Sequence, residues 1–347
     1  MSDRKDPLTK SPLRVGIAGL GRLGKRHATM LARQVAGAEL VAACSPVADE
    51  LAWARDALGV ANVFEDYGAM LAHPGLDAVF LVTPTTLHAD QIIAALKAGK
   101  HVFSEKPLAL GLADCRRVEA ESARRPKQKV MIGFVRRFDP HFRDAHAKIR
   151  AGTIGRPFML RSQCADQNDP GGFFVRYAPL SGGILLDMSV HDIDGARWLL
   201  GAGAAKRVYA TGTIAIHEGL AACNDVDNAV AIIEFEGGSI ATIYASRTYA
   251  HGHESMTEIL GTAGRLSVGA NPRLTRVEIA DAHGVRNECT PTFYERFEEA
   301  FLRELTEFVD IVREDRAPPL TLADATEATR IGIALTESLR SRRAVDL

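Results

Sequence analysis

Arg14-Val15-Gly16-Ile17-Ala18-Gly19-Leu20-Gly21-Arg22-Leu23-Gly24 decides the fold. The run Arg14–Ala18 predicts a short buried strand, a GxGxxG turn follows at once, and a helix is predicted to about Ala36. Each glycine has a separate task. Gly19 allows the tight turn, Gly21 lets backbone N–H groups approach a pyrophosphate, and Gly24 lets the helix pack closely on the strand. The helix N-terminus then turns its partial positive charge toward the phosphates. Gly19, Leu20, Gly21, Arg22 and Leu23 are therefore expected at a dinucleotide.

Downstream, strands and helices alternate. Leu40–Cys44 reads as a second strand, Ala78–Val82 as a fourth and His101–Phe103 as a fifth. Helices are expected at Val47–Leu58, Asp66–Ala72 and Leu87–Ala98. Strands separated by helices imply a parallel, doubly wound sheet, an α/β Rossmann arrangement with ligands at the carboxyl ends of the strands. Thr83-Pro84-Thr85-Thr86-Leu87-His88 follows the fourth strand, so Thr83, Pro84, Thr86 and His88 are expected near the cofactor, with Thr86 also capping a helix. Ser104-Glu105-Lys106-Pro107 follows the fifth strand and puts Glu105 and Lys106 at the same edge. The second strand ends differently from the usual pattern. Cys44-Ser45-Pro46 stands where an Asp or Glu would grip the adenosine ribose, and the nearest carboxylates are Asp49 and Glu50. Ser45 can offer one hydrogen bond, does not repel a 2′-phosphate, and has no adjacent Arg or Lys to bind one. The cofactor reading is NAD, with NADP left open.

A second organising stretch is Ser181-Gly182-Gly183-Ile184-Leu185-Leu186-Asp187-Met188-Ser189-Val190-His191-Asp192. Two glycines turn the chain into an expected helix, on which Asp187 and His191, four apart, share a face. A carboxylate beside an imidazole fixes its tautomer and stabilises its charged form, as a general base needs. Taken alone, the stretch also reads as a helix start with an acidic first turn and a packing histidine. Lys106, upstream at a strand end, favours the chemical reading.

Between and after these stretches the pattern changes. Lys127-Gln128-Lys129 reads as a boundary, giving a dinucleotide-binding domain over 1–128 and a substrate and oligomerisation domain over 129–320. Val130–Phe134 is expected to start the second domain as a strand, and Asp139–Arg150 to form a helix. Extended runs follow at Phe158–Gln163, Val208–Ile216, Ala229–Phe235, Ser239–Arg247 and Ser255–Leu260, with a hairpin turn at Glu236-Gly237-Gly238. Consecutive strands without helices between them mean a largely antiparallel open sheet, an α+β arrangement with helices on one face. Its other face is expected to pack on another subunit, giving a dimer or homotetramer. Thr321-Leu322-Ala323-Asp324 starts a last helix, 321–341, expected to pack back on the first domain. The Phe293–Phe308 pattern reads as core, and Asp192 and Asp194 as helix-surface charges. His251 and His253, at i and i+2 in an extended segment, point the same way. No Cys or third His nearby has ligand spacing, so no metal is expected there.

The bulk composition fits this reading. The chain of 347 residues exceeds one ordinary core, with 46% hydrophobic and 24% charged residues. A net charge of −1 with Lys and Arg spread throughout provides no basic field for nucleic acid or an anionic membrane. The polar stretch Ser2–Ser11 does not read as a signal peptide, and no apolar run approaches the ~20 residues of a membrane span. Five cysteines without a CxxC pair point to reduced thiols and a cytoplasmic setting.

The chain resembles the glucose–fructose oxidoreductase/inositol dehydrogenase (Gfo/Idh/MocA) family. The resemblance runs from Leu13 essentially to the end, carried by Gly19–Gly24, Thr83–His88, Glu105-Lys106-Pro107, Gly133-Phe134-Val135-Arg136-Arg137-Phe138 and Asp187-Met188-Ser189-Val190-His191. Phe134–Phe138, Gly155-Arg156-Pro157 and Gly182–Asp194 look most like the inositol 2-dehydrogenase branch. The resemblance implies Lys106, Asp187 and His191 as the catalytic triad and Arg136 at the substrate, with His251 and His253 substrate-facing through hydroxyl contacts and Asp166 and Gln163 weaker candidates of the same kind. It implies NAD(P)-dependent oxidation of a ring hydroxyl of myo- or scyllo-inositol to the inosose. An aldose dehydrogenase or ketose reductase of the same family is the nearest alternative, and a catalytically silent dinucleotide sensor a more distant one. Ser45 departs from the Asp common in NAD-using members.

Overall fold

The first strand, β1 (Leu13–Ala18), is buried almost throughout and runs parallel to both neighbours, β2 (Ala38–Cys44) and β4 (Ala78–Leu81). A computed structural model of the protein describes residues 11–347; residues 1–10, most of the polar N-terminal stretch, lie outside the described residues. The chain divides into two compact units.

The first unit comprises residues 11–109, 113–133 and 301–323. With β3 (Asn62–Phe64), β5 (His101–Glu105) and β6 (Val130–Gly133), its six strands take the order β3-β2-β1-β4-β5-β6. Every pairing is parallel. The order reverses between β1 and β4, the switch point where doubly wound sheets bind ligands. The strands are nearly all-apolar because helices cover both faces. Phe80 and Phe103 lie 5.3 Å apart and both meet Phe308 edge-on, at 5.3 and 5.9 Å. Burying a side chain such as Phe308 stabilises the fold by roughly 1.5–3 kcal/mol. The core role expected for the Phe293–Phe308 pattern holds, since Phe297, Phe301 and Phe308 are buried.

Two boundary expectations need correction. Val130–Gly133 does not open the second unit; it is the sixth strand of the first sheet, pairing with β5 through Val102–Val130 and Glu105–Gly133. Helix Leu322–Ser341 does not group with the first unit. From Asp324 onward it belongs to the second, where Gly332 packs against Leu186 and the Ala210 amide donates to Ser338 Oγ at 2.9 Å. The segment that closes on the parallel sheet is instead Phe301–Ala323.

The second unit contains β7 (Pro157–Gln167), β8 (Ala205–Thr213), β9 (Asn228–Phe235), β10 (Ile240–Tyr249), β11 (Glu254–Gly261) and β12 (Gly264–Val268). A separate ribbon pairs β13 (Arg273–Asp281) with β14 (Gly284–Cys289), and β15 (Val345–Asp346) ends the chain. The sheet order is β12-β11-β7-β10-β9-β8-β15. It is antiparallel except for β7 with β10. The turn Glu236-Gly237-Gly238 joins β9 to β10, with Gly237 and Gly238 at φ 82° and 84°, conformations that favour glycine. Strand β9 alternates strictly, Ala229, Ala231, Ile233 and Phe235 inward, Val230 and Ile232 outward. Among the described residues no helix is long and apolar enough to cross a membrane, and all five cysteines are free.

Candidate active site

In the first unit the glycine turn has the geometry its sequence implies. Gly19 sits at φ 89°, and a Cβ there would lie 2.4 Å from the Val82 carbonyl oxygen. A Cβ on Gly24 would meet the Gly19 carbonyl at 2.0 Å. Gly21 differs: a Cβ there would meet nothing within 4 Å. Gly21 is the N-cap of helix Arg22–Arg33, whose first turn carries no acidic residue and no side-chain cap. Open space before uncapped N–H groups suits a pyrophosphate.

The end of β2 resolves the missing carboxylate. Ser45 is buried, and its hydroxyl donates to Glu50 Oε2 at 2.5 Å while accepting from the Val47 amide at 3.1 Å. The serine is thus committed within the protein, and it holds Glu50 at the strand end where an acid was lacking. Burial, and then Asp66, push the thiol of neighbouring Cys44 up to about 11.

The loops after β4 and β5 are tied together. His88 is buried, with Nδ1 2.8 Å from the Pro107 carbonyl and Nε2 2.9 Å from the Thr83 carbonyl. Burial pushes its pKa down, against both carbonyls and Glu105, which favour the charged ring. Each ring nitrogen faces a carbonyl oxygen, and the neutral ring donates to one of them, so His88 braces the two loops. Thr86 does not cap the following helix, since Thr85–Lys97 starts one residue earlier with Pro84 as N-cap. Thr83 Oγ1 donates to Gln91 Oε1 at 2.6 Å. Glu105 also turns inward, accepting from His27 Nε2 at 2.9 Å and from the Lys106 amide at 3.3 Å. Lys106 is partly buried and precedes Pro107 through a cis peptide bond.

In the second unit, Asp187 and His191 stand on two short helices, Ile184–Asp187 and Val190–Leu200. The single helix expected is interrupted at Met188-Ser189, although both residues keep right-handed helical dihedrals. The break has a cause in the hydrogen bonding, because the Ser189 amide reaches back five residues to Ile184 O at 3.1 Å. Both side chains are partly exposed, and the Phe134 ring stands edge-on to His191 at 6.2 Å. Sequence reasoning missed Arg247. This buried guanidinium donates to Asp187 Oδ2 at 3.0 Å, lies 3.7 Å from Asp225 Oδ2, and covers the Phe174 ring. Its signal was an arginine inside the otherwise uncharged run Ile240–Tyr249.

Asp192 and Asp194 are not surface charges. They are 0% and 1% exposed, paired with Arg136 at 2.5 Å and with Arg137 in a two-pronged bridge at 2.6 and 2.8 Å. Arg136 is 3% exposed and also reaches Ser162 at 3.5 Å, so its guanidinium serves the protein interior. His251 and His253 do not share a face. Gly252, at φ 135°, breaks the extended run. His251 is exposed and meets Glu254 at 2.7 Å, whereas His253 is buried and meets Asp166 at 3.0 Å. Gln163 donates to Tyr249 at 3.2 Å and to Glu254 at 2.6 Å.

A parallel sheet of this order, carrying a glycine turn shaped for a pyrophosphate, marks a dinucleotide-dependent oxidoreductase. The family model described as an oxidoreductase family with an NAD-binding Rossmann fold matches residues 13–134, and the GFO/IDH/MocA C-terminal domain matches 142–267. The chain belongs to the GFO/IDH/MocA oxidoreductase family. It is 39% identical to scyllo-inositol 2-dehydrogenase (NAD(+)) of Bacillus subtilis, covering 96% of each chain. It is 35% identical to myo-inositol 2-dehydrogenase of Thermotoga maritima, over 96% of this chain and 98% of that one. Among solved structures it is similar to scyllo-inositol dehydrogenase from Lactobacillus casei with bound NAD(H) and scyllo-inositol. That likeness has a TM-score of 0.93 and 37% identity, over 97% of this chain and 99% of the other.

Proposed function

We propose that the protein is an NAD-dependent dehydrogenase that oxidises one ring hydroxyl of a cyclitol, myo- or scyllo-inositol, to the inosose. The observation that carries this reading is the match to an inositol 2-dehydrogenase over 96% of both chains, with Lys106, Asp187 and His191 all present. His191 takes the hydroxyl proton, and Asp187, itself anchored by Arg247, supports the imidazolium that forms. Lys106 stabilises the developing alkoxide by donating a hydrogen bond. NAD, when bound, would supply the hydride acceptor. The test is a reduced-nicotinamide absorbance screen over cyclitols and sugars with NAD and NADP. Turnover of aldoses with none of inositols would transfer the assignment to the sugar enzymes of the family.

Three expectations follow for this reading. A protonated imidazole cannot accept a proton, so kcat/KM for the cyclitol should fall as pH is lowered below neutral. A flat profile on the acid side would remove His191 as base. Glu50, presented by Ser45, takes the ribose-gripping place and repels a 2′-phosphate. Glu50→Ala should then raise the ratio of NADP to NAD kcat/KM by at least about tenfold, since like-charge contacts cost several kcal/mol and ~1.4 kcal/mol is a factor of ten. An unchanged ratio would leave cofactor choice to other groups. Finally, the outward face of β8, β9 and β10 shows Tyr209, Val230, Ile232 and Ile240, with Val230 48% and Ile232 41% exposed. Tyr209 and Ile232 are directly paired, so the apolar side chains adjoin. A second copy of the chain covers this face in the proposed homo-oligomer. Ile232→Lys should lower the mass seen by light scattering, and an unchanged mass would place the interface elsewhere.

A further inference from the structure

Behind the end of β5, still within the first unit, lies a buried group of three titratable side chains that the proposed reaction does not use. They are His27 on helix Arg22–Arg33, Glu105 at the end of β5, and Glu304 on helix Phe293–Glu314. One nitrogen or oxygen from each lies within 4.8 Å of the others. His27 and Glu304 are fully buried and Glu105 nearly so. Aromatic rings close the group off, with Phe301 5.4 Å and Phe103 6.2 Å from the His27 ring.

The hydrogen bonds are unevenly shared. Glu105 takes His27 Nε2 on one oxygen and the Lys106 amide on the other. Neither oxygen of Glu304 has a hydrogen-bond partner among the described residues. An ionised carboxylate that is buried, unpartnered and beside a second carboxylate is strongly disfavoured. A single imidazole cannot neutralise two such groups. An uncharged Glu304 escapes that penalty, and His27 Nδ1 is likewise without a hydrogen-bond partner among the described residues.

We propose that Glu304 is held as the neutral acid against the His27–Glu105 pair, and that this buried triad positions Lys106 at the end of β5. Burial, and then the charge of Glu105, raises the Glu304 pKa well above the usual carboxylate range, in keeping with that state. The link to Lys106 is short. Glu105 is its chain neighbour and accepts its amide, so a shift of the carboxylate moves the lysine backbone. Glu304 is a positioning residue, acting through Glu105, and its role rests on the assignment of Lys106 made above.

The test separates charge state from packing. In infrared difference spectra between wild type and Glu304→Gln at neutral pH, the wild type should show a protonated-carboxyl C=O band that the variant lacks. Absence of that band overturns the proposal. Glu304→Gln, neutral and of the same shape, should keep kcat and Tm close to wild type. Glu304→Leu, similar in volume but apolar, should stay folded and lower kcat by roughly tenfold to a hundredfold, the scale of a displaced reacting group. KM for the cyclitol should change little. Equal activity of the Gln and Leu variants would reduce Glu304 to a space filler. Collapse of Glu304→Gln, or a stoichiometric divalent metal in the purified protein, would make Glu304 an ionised ligand and overturn the neutral state. In a Lys106→Ala background, Glu304→Leu should cause no further loss of turnover, because the two act as one unit. If Lys106→Ala keeps full turnover, the assignment of Lys106 fails and the positioning role with it, while the infrared band still decides the charge of Glu304.

Discussion

Lys106→Ala and His191→Ala are each expected to cut turnover of the cyclitol by at least about 100-fold, the usual scale for acid–base groups. The two losses have different origins. Without His191 no positioned group takes the hydroxyl proton, and the alcohol must release it to solvent as hydride leaves. Without Lys106 the alkoxide forms with no cation beside it, and such preorganised electrostatic help is worth about 2.7–4 kcal/mol in comparable sites. Neither change removes the glycine turn, so NAD affinity measured by fluorescence should survive both. Retained turnover in either single variant would strip that residue of its role. Asp187→Asn is expected to fall between, since the ring keeps its place but loses the charge that supports its protonated form.

Arg136→Leu is expected to destabilise the protein by about 3–5 kcal/mol, the range for leaving one member of a buried ion pair behind. Asp192 is fully buried, and its Oδ1 is shared between Arg136 and Ser162, both at 2.5 Å. Removing the guanidinium leaves a carboxylate that one hydroxyl cannot compensate. Replacing both members, Arg136→Met with Asp192→Leu, should recover most of the loss, because apolar substitutes bring no desolvation cost. The measurement is the denaturant midpoint at constant slope. A single variant within about 1 kcal/mol of wild type would show that the pair contributes no more than a surface bridge. The result also separates two roles for Arg136. The family resemblance places it at the substrate, which predicts a raised KM in a protein of normal stability; its burial against Asp192 predicts the reverse.

What was legible in the sequence was local. The strand, glycine turn and helix from Arg14 onward are contiguous, and Gly24 closes on Gly19 within that run, although the close approach at Gly19 is to distant Val82. The helical setting of Asp187 and His191 was legible for the same reason, though the backbone between them reaches back five residues at Ser189. What failed depended on partners distant in sequence. Asp192 and Asp194 looked like surface charges because Arg136 and Arg137 lie 56 and 57 positions earlier. Arg247 is 60 positions from the carboxylate it anchors. Val130–Gly133 is an apolar strand in either sheet, and only its pairing with β5 decides which. The histidine pair failed through one residue, Gly252, whose backbone state no alternation pattern reveals. Glu50 was noticed as a nearby acid, but the serine that draws it to the strand end was read as its replacement.

The His88 ring, wedged between the carbonyls of Thr83 and Pro107, has a consequence for anyone building chimeras from this family. The Thr83–His88 segment and the Glu105-Lys106-Pro107 segment behave as one cassette joined by an imidazole bolt. Grafting the second segment alone, on a backbone that sets the Pro107 carbonyl elsewhere, leaves the buried ring short of that partner, whereas transplanting both together carries the bolt and its sockets across intact.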